Sequence, residues 1–439
     1  MSGPSPPQQV LIVGAGEFGA SAALALAEGA YKGRAELITV VERGQNGELE
    51  VDAASSDYNK VRADYADPIY QALALDAMSE WRTPRWKQHY HECGVVVCSS
   101  SLDPQVGYVR NSHRLNEESE TAKVSKLEKG RGVQGLYKAG LHVGEFEGSE
   151  AYLNHVGGWA ASRDAVLHTI SLARSLGVTF TQGDAISLIQ STPSSSSVSS
   201  SSPQPSIRGV RLADGRTVEA DMTILACGSW TPELLPELAE ACMPCGQTVA
   251  TILLNEEERE RYQNMPVSLF MDTGFYCFPP TKNGVLKMGT NSRPRLGISF
   301  RLPPLPTSYD KERWLREAAD PAVRIRGTPA RNEAGAPRIG YSDRESGDFL
   351  FDFHPSYANN SLFVAAGGSG HAFKFLPLVP SWISSALSGT LPSNLARLWS
   401  FYGDKTRLDK SRGEGPIVRR DLDTGKVAQV RMPEIRARL

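Results

Sequence analysis

Long apolar runs are absent from this sequence of 439 residues. None approaches the about 18 consecutive apolar residues of a membrane-spanning helix. The first nine residues, MSGPSPPQQ, lack the basic and apolar regions of a secretory signal. A formal net charge of −2 gives no excess of positive charge that would attract nucleic acid or an anionic membrane. The sequence therefore predicts a soluble intracellular protein that acts on a small molecule.

Cysteine is also scarce, with six residues in the chain, and none has the spacing to histidine that indicates zinc. Cys242 and Cys245 form a lone CxxC pair. Pro244 and the surrounding loop do not supply the strand-to-helix setting of a redox-active pair. We therefore expect reduced, structural thiols and no metal site.

What is present is a glycine-rich motif near the start, VLIVGAGEFG at Val10 to Gly19. The apolar residues before the glycines predict a buried parallel strand, and the small residues after them predict a helix. In this motif Gly14 allows a tight turn, Gly16 lets the backbone approach a pyrophosphate, and Gly19 lets the helix pack against the strand. The amides at the helix start would then face the phosphate.

A second predicted strand, Leu37 to Val41, supports this interpretation. It is followed by Glu42, at about the 20-residue distance expected of the acid that holds a ribose hydroxyl. The pattern indicates a dinucleotide site; the alternative is a glycine turn in an ordinary parallel sheet.

A second glycine-rich turn comes late in the chain. The predicted strand Leu362 to Ala366 runs into Gly367-Gly368-Ser369-Gly370, and a helical region is expected from His371 onward. The predicted strand Met222 to Ala226 similarly ends in Cys227-Gly228, the kind of strand end where a flavin meets an α/β sheet. Two anion-binding turns favour FAD over a nicotinamide cofactor.

The predicted fold class is α/β, with a Rossmann-type FAD-binding domain and a second, mainly antiparallel substrate domain. We assign residues 1–93, 151–241 and 339–439 to the first domain, and 94–150 and 242–338 to the second. The serine-rich stretch 191–206 cannot bury apolar area, so it is expected to be a disordered insertion between two paired strands. The polar stretch Ala53 to Tyr65 is expected to be a loop over the cofactor.

Four motifs together resemble a known family: GAGEFG at Gly14 to Gly19, SSDYNKVR at Ser55 to Arg62, LKMG at Leu286 to Gly289, and GGSGHAFKF at Gly367 to Phe375. They are similar to the flavin-dependent secondary-amine oxidases, which include the sarcosine, pipecolate, saccharopine and fructosyl amino acid (Amadori) oxidases. The stretch DPIYQALALDAMSEW is similar to the fungal fructosyl amino acid and saccharopine branch. The resemblance implies the D-amino acid oxidase and sarcosine oxidase-like fold.

The resemblance also implies a reaction. A hydride passes from the carbon beside a secondary amine to flavin N5, water hydrolyses the resulting imine, and O2 reoxidises the flavin to release H2O2. Lys287 matches the lysine that activates oxygen near flavin N5, and a cation there would stabilise developing superoxide. Tyr276 matches an aromatic ring against substrate or flavin. Without the resemblance, Lys287 would be interpreted as a surface lysine and Tyr276 as sheet packing.

For the substrate, the resemblance implies that Arg62 and Lys374 hold the carboxylate, which two cations can grip from both sides. The alternatives are a helix-surface charge for Lys374, and for Arg62 a cation bound to FAD phosphate or to Asp64. Asn291 stands where the sarcosine oxidases carry a histidine. His371 is expected to be a structural residue beside the flavin rather than a general base.

Cofactor-binding residues are expected in these same motifs. They are Gly14, Ala15, Gly16, Glu17, Phe18, Gly19, Glu42, Arg43, Ser56, Lys60, Cys227, Gly228, Gly368, Gly370, His371, Phe373 and Lys374. Many members of the family attach the flavin through a cysteine near Arg338, but this sequence has Gly340 there. We therefore predict noncovalent FAD.

The chain ends in Ala437-Arg438-Leu439, which has the form of a peroxisomal address. We expect import into the peroxisome through the receptor for that address; the alternative is an accidental basic tail. A monomer is expected as the family's usual state. Two other functions stay open, a dehydrogenase that passes electrons to a carrier and a flavin-binding protein with impaired catalysis.

Overall fold

A computed structural model describes residues 7–44, 58–137, 146, 148–191, 204–239, 241–246, 249–290, 295–297, 323–326, 341–404, 406–408, 411, 413 and 419–421. Five predictions concern positions outside the described residues. They are Ser56, Asn291, Gly340, the middle of the serine-rich insertion and the final tripeptide Ala437-Arg438-Leu439.

The first layer is a six-stranded sheet in which five strands are parallel and one edge strand is antiparallel. In spatial order its strands are β22 (Leu350–Phe353), β23 (Leu362–Ala366), β13 (Met222–Leu225), β1 (Val10–Val13), β2 (Ile38–Glu42) and β9 (Thr179–Gln182). The apolar run of β1 is explained by burial on both faces. Val10 and Ile12 join one core, whereas Leu11 and Val13 join another.

Helices cover one face of this sheet and a small sheet covers the other. The α-helices among the described residues are α1 (Glu17–Glu28), α2 (Pro68–Trp81), α3 (Val106–Glu117), α4 (Lys129–Gln134), α5 (Ser162–Ser175), α6 (Thr231–Leu234), α7 (Glu256–Tyr262), α8 (Val379–Leu387) and α9 (Ser393–Leu398). Helix α1 packs between α5 and α8. The opposite face packs on the three-stranded sheet of β10 (Ala185–Gln190), β11 (Ile207–Leu212) and β12 (Thr217–Glu219). Strands β10 and β11 flank the serine-rich insertion and pair antiparallel, as predicted.

The second layer is an eight-stranded sheet, antiparallel at every pairing except that of β5 with β16. Its strands in spatial order are β20 (Val323–Arg326), β15 (Val249–Leu253), β18 (Val285–Thr290), β17 (Phe275–Cys277), β16 (Val267–Phe270), β5 (Val95–Ser100), β7 (Ser149–Asn154) and β6 (Val124–Leu127). This is the mainly antiparallel sheet expected for the substrate domain.

Two smaller sheets connect the layers. One contains β3 (Tyr58–Val61), β8 (Gly158–Ala161) and β4 (Tyr90–Glu92), all antiparallel. The other contains β21 (Tyr341–Asp343), β14 (Met243–Gly246), β19 (Arg295–Gly297) and β24 (Arg419–Asp421). Tyr58 of β3 and Trp159 of β8 pack into the core of the eight-stranded sheet. The short strand β3 is therefore held between the two large sheets.

The structure corrects the predicted loop Ala53 to Tyr65, because its residues Tyr58–Val61 form β3. Polar side chains suggested a loop, but pairing with the buried strand β8 satisfies the backbone of this segment. The helical region expected from His371 begins as a single 3-10 turn, Phe373–Phe375, and α8 starts only at Val379.

Strand pairing also crosses the predicted domain boundaries. Strand β7 starts at Ser149 and belongs to the eight-stranded sheet up to Asn154, beyond the boundary set at residue 150. Strand β21 lies in the predicted cofactor domain, but it pairs with β14 of the predicted substrate domain.

Candidate functional site

A cleft of about 1650 Å³, including its open mouth, lies along the carboxyl ends of the parallel strands. Its wall contains residues that directly follow β1, β2, β9, β13 and β23. Ligands of open α/β sheets bind at this edge because the loops there converge. Predicted residues in the wall are Gly14, Gly16, Glu17, Phe18, Glu42, Arg43, Lys60, Arg62, Cys227, Gly228, Gly368, Gly370, His371, Phe373 and Lys374.

The three motif glycines have different surroundings. A Cβ on Gly14, which has φ +95°, would lie 2.5 Å from the carbonyl oxygen of Ala226. A Cβ on Gly19 would overlap the carbonyl oxygen of Gly14. A Cβ on Gly16 would have no protein atom within 4 Å, and Gly16 lines the cleft. Gly14 and Gly19 thus serve internal packing, while the open side of Gly16 suits close approach of a ligand.

Glu42 stabilises the glycine-rich loop. Its Oε2 accepts a hydrogen bond from the Ala15 amide at 2.6 Å, and its Oε1 accepts one from the Gly44 amide at 3.0 Å. The carboxylate is buried at the end of β2 and lines the cleft. Ala15 and Gly19, both predicted to bind the cofactor, lie behind the wall.

Trp230, a residue absent from the sequence prediction, lines the cleft beside a predicted residue. The Arg43 guanidinium lies 3.7 Å from the centroid of the Trp230 ring. Gly183 and Asp184, which follow β9, also line the wall, together with Asn59, Glu233, Tyr341 and Ser342. Gly183 and Asp184 could have been inferred, because β9 is adjacent to β2 and its carboxyl end lies at the same edge.

At the other end of the cleft, Lys374 is held by a hydrogen-bonded chain. Its Nζ donates to Tyr65 Oη and to the His371 carbonyl, each at 2.7 Å. Tyr65 Oη lies 2.9 Å from His371 Nδ1, and His371 Nε2 lies 2.7 Å from the Gly347 carbonyl. Because a carbonyl only accepts, Nε2 carries the proton and Nδ1 accepts from Tyr65. This chain of hydrogen bonds therefore orients Lys374, and His371 is one of its members.

Arg62 is buried beside this end, with 5% of its surface exposed. Its guanidinium donates to the Asp64 carbonyl and, at 3.2 Å, to Tyr108 Oη. The Asp64 carboxylate instead accepts hydrogen bonds from the Tyr152 hydroxyl and the Asn154 side-chain amide. Arg62 Nε has no hydrogen-bond partner among the described residues. A buried, permanently charged group with an unused donor is suited to binding an anion.

A second cavity of about 940 Å³ shares Lys60 and Arg62 with the cleft. Tyr276 of β17 lines it, and Lys60 Nζ lies 3.5 Å from the centroid of the Tyr276 ring. Asp103 and Asp272 also belong to its wall. The two cations thus lie where the cleft meets a cavity bounded by the eight-stranded sheet.

Lys287 lies outside both walls. It is buried, and its Nζ donates to the Tyr58 carbonyl at 2.6 Å, between the rings of Tyr58 and Phe278. Tyr58 starts β3, the strand that carries Lys60. The structure therefore brings Lys287 behind the junction of cleft and cavity rather than into it.

Cys227 lines the cleft with its thiol directed at the Val13 carbonyl, 3.4 Å away. Burial raises the pKa of this thiol to about 12. Within the described ranges no group of three or more histidine, cysteine, aspartate or glutamate residues could hold a metal ion. No helix in the same part of the chain is long and apolar enough to cross a membrane.

These features fit an extended dinucleotide. The open side of Gly16 at the start of α1 suits a pyrophosphate, and Glu42 lies where an acid can reach a ribose. Arg62 and Lys374, both buried in the cleft wall, supply positive charge that suits a second anionic group.

Comparison with known proteins agrees with this fit. A family model described as FAD dependent oxidoreductase, DAO, matches residues 9–385. Amino acid oxidase imqH of Aspergillus flavus is 28% identical and the alignment covers 90% of this chain and 98% of that protein. L-saccharopine oxidase of Schizosaccharomyces pombe is also 28% identical, over 90% of this chain and 93% of the relative.

Solved structures share the fold. Amadoriase II of Aspergillus fumigatus, a fructosamine oxidase, has a TM-score of 0.70 and 24% identity, covering 90% of this chain and 89% of its own. Amadoriase I of the same organism, a fructosyl amine: oxygen oxidoreductase, has a TM-score of 0.71 and 22% identity, covering 98% of both chains. The predicted fold class is confirmed.

The glycine environments lead to a matched pair of substitutions. Gly16→Ala should leave the thermal unfolding of the FAD-free protein within about 2 °C of wild type, because its Cβ meets open space, but should weaken FAD binding about tenfold or more by blocking the backbone approach. Gly19→Ala should lower the midpoint of thermal unfolding by several degrees, because the new Cβ would overlap the carbonyl oxygen of Gly14. Equal loss of stability in the two variants would contradict these assignments.

Proposed function

We propose that this chain, which belongs to the family of FAD-dependent oxidoreductases, oxidises the C–N bond of an N-substituted amino acid and uses O2 as electron acceptor, releasing H2O2. The observation that carries the proposal is the buried pair of Arg62 and Lys374 at one end of the FAD cleft. A carboxylate bound there would hold an amino acid substrate next to the flavin. The similarity to L-saccharopine oxidase and to the fructosyl amine: oxygen oxidoreductase supports both the substrate class and the acceptor.

FAD, when bound, supplies the two-electron chemistry: it accepts a hydride from the carbon beside the amine and returns electrons to oxygen. The chain's own residues bind and orient the substrate. Arg62 places a buried, permanent positive charge in the cleft wall, and Lys374 is held in place by Tyr65 and His371. Lys287 contributes a buried positive charge behind β3, which favours the development of negative charge on oxygen.

The residues around the second cavity indicate which kind of substituent the amine nitrogen of the substrate carries. Its wall contains the cations Lys60 and Arg62 together with Asp103 and Asp272, whose carboxylates also accept hydrogen bonds from backbone amides. Carboxylates oppose a second anionic group and accept hydrogen bonds from hydroxyl or ammonium groups. This favours a hydroxylated or basic substituent, as in a fructosyl amino acid, over the glutarate of saccharopine. Pipecolate and sarcosine would leave the cavity unfilled.

Three further proposals rest on the sequence alone. Gly340, in place of the tethering cysteine, supports noncovalent FAD that leaves the protein on denaturation. Ala437-Arg438-Leu439 supports import into the peroxisome by the receptor for that address. A monomer follows from the family resemblance only.

The proposed activity is tested by anaerobic titration of the purified flavoprotein with fructosyl-lysine, fructosyl-valine, saccharopine, pipecolate and sarcosine. We expect a fructosyl amino acid to bleach the flavin, and air to restore its colour with one H2O2 per substrate. Bleaching without recovery in air would indicate a dehydrogenase. Flavin that no amine bleaches would indicate impaired catalysis.

Arg62→Gln should raise KM about 30-fold, because loss of a charged hydrogen bond to a carboxylate costs about 2 kcal/mol. The matched control is Arg82→Gln, since Arg82 forms an exposed ion pair with Glu92. Retention of FAD by both variants shows that the site is folded. An unchanged KM in a flavin-loaded Arg62→Gln enzyme would show that the substrate carboxylate binds elsewhere.

Lys287→Met should slow reoxidation of the reduced flavin by about a hundredfold, since it removes the buried positive charge behind β3 that favours negative charge on oxygen. Anaerobic reduction by substrate should stay within about threefold of wild type. Stopped-flow absorbance separates the two half-reactions. Lys282→Met, at an exposed turn of the same hairpin, is the control. If reduction rather than reoxidation slows, Lys287 acts on the amine half-reaction instead.

A further inference from the structure

Glu17 is an unexpected side chain in the glycine-rich loop. It stands in the first turn of α1 and lines the cleft between Gly16 and Phe18. Its Oε1 is buried and accepts no hydrogen bond from any described residue. Buried carboxylates are normally paired or hydrogen bonded because leaving one without a donor is costly. An acid in this position therefore needs an explanation.

The surroundings of Glu17 favour its neutral form. Burial raises the pKa of Glu17 to about 8, although the charge of Lys374 pulls it down. The Lys374 ammonium also donates to Tyr65 and to the His371 carbonyl. The burial of this carboxyl and the lack of a donor to Oε1 favour the carboxylic acid form, which has an O–H to donate.

Other charged groups lie on the elements around α1. Strand β2 contributes Glu42, whose oxygens accept from two backbone amides. Helix α8 has no ionisable residue. Helix α5 carries Arg163, Asp164, His168 and Arg174, and the segment after β23 carries His371 and Lys374. Of these described groups, only Lys374 acts electrostatically on Glu17.

FAD brings the negative charge of its pyrophosphate to this cleft. An ionised Glu17 carboxylate facing the pyrophosphate would be repelled by it. A neutral acid instead can donate a hydrogen bond to an acceptor atom of the cofactor. Filling the cleft also removes the remaining contact of the side chain with water, which further disfavours the ionised form.

We propose that Glu17 binds FAD as a neutral carboxylic acid, donating its proton in a hydrogen bond to the cofactor, so that FAD is held together with one proton. This rests on the proposed function only in taking FAD as the occupant of the cleft. The consequence is an affinity for FAD that depends on pH. At pH values below the pKa of Glu17, the carboxyl already carries the proton. At pH values above it, FAD must bind the minority of protein molecules in which Glu17 is protonated.

The direction and size of the pH effect on FAD affinity follow from the coupling between proton binding and FAD binding. Each pH unit above the pKa lowers the protonated fraction tenfold, so the apparent Kd for FAD should rise about tenfold between pH 7 and pH 9. Glu17→Gln removes the ionisable group but keeps a neutral donor of similar shape. Its Kd should stay within about threefold of wild type at pH 7 and should not change with pH.

The experiment is to prepare the FAD-free protein and titrate it with FAD between pH 6.5 and 9.5, following flavin fluorescence. The variants are wild type, Glu17→Gln and Glu28→Gln. Glu28 lies at the exposed end of the same helix, paired with Arg85, and its variant should follow the wild-type pH dependence. Circular dichroism at each pH checks that the FAD-free proteins stay folded.

A wild-type Kd that does not change with pH would overturn the proposal. So would a Glu17→Gln protein that shows the same rise as wild type. These readouts need no substrate, so failure of the amine oxidase proposal leaves them intact. Conversely, substrate that bleaches a flavin bound without pH dependence would uphold the oxidase and reject the role of Glu17.

Discussion

The close backbone contact between Gly14 and Gly19 is the constraint on which the site depends. Because neither residue has a Cβ, the start of α1 packs directly against the turn that ends β1. This brings the first-turn residues Gly16 and Glu17 to the open edge of the parallel sheet. Gly14 also lies against Ala226 at the end of β13, so the same contact sets the distance between two walls of the cleft. A side chain at either glycine would separate these elements.

The small strand β3 has an equally important role at the other end. It pairs with β8, packs into the core of the eight-stranded sheet, and carries Lys60 with Arg62 just after it. Both side chains reach the cleft and the second cavity. A cation that serves both spaces can bind one end of a substrate whose other end extends under the eight-stranded sheet. The proposed function uses this position to hold the substrate next to FAD.

The glycine-rich loop, the parallel strands and Glu42 could be predicted because local spacing determines them. The pairing of β10 with β11 across the serine-rich insertion could also be predicted, since both flanks have strand patterns. Strand β3 could not, because its short polar sequence is stabilised by partners distant in the chain. The same applies to Tyr65 and His371, whose bond to each other joins residues 306 positions apart. Glu17 belonged to the motif, but only the fold shows that one of its carboxyl oxygens, Oε1, is buried without a hydrogen-bond donor among the described residues.

The central claim is that Arg62 and Lys374 bind a substrate carboxylate next to FAD. It is tested most directly by titrating the oxidised flavoprotein with a nonreactive fructosyl amino acid analogue in which sulfur replaces the amine nitrogen. We predict a saturable change in the visible flavin spectrum for wild type, and a similar change in Arg62→Gln only at about 30-fold higher concentration. A wild-type spectrum that never changes, or identical titrations for the two proteins, would contradict the account.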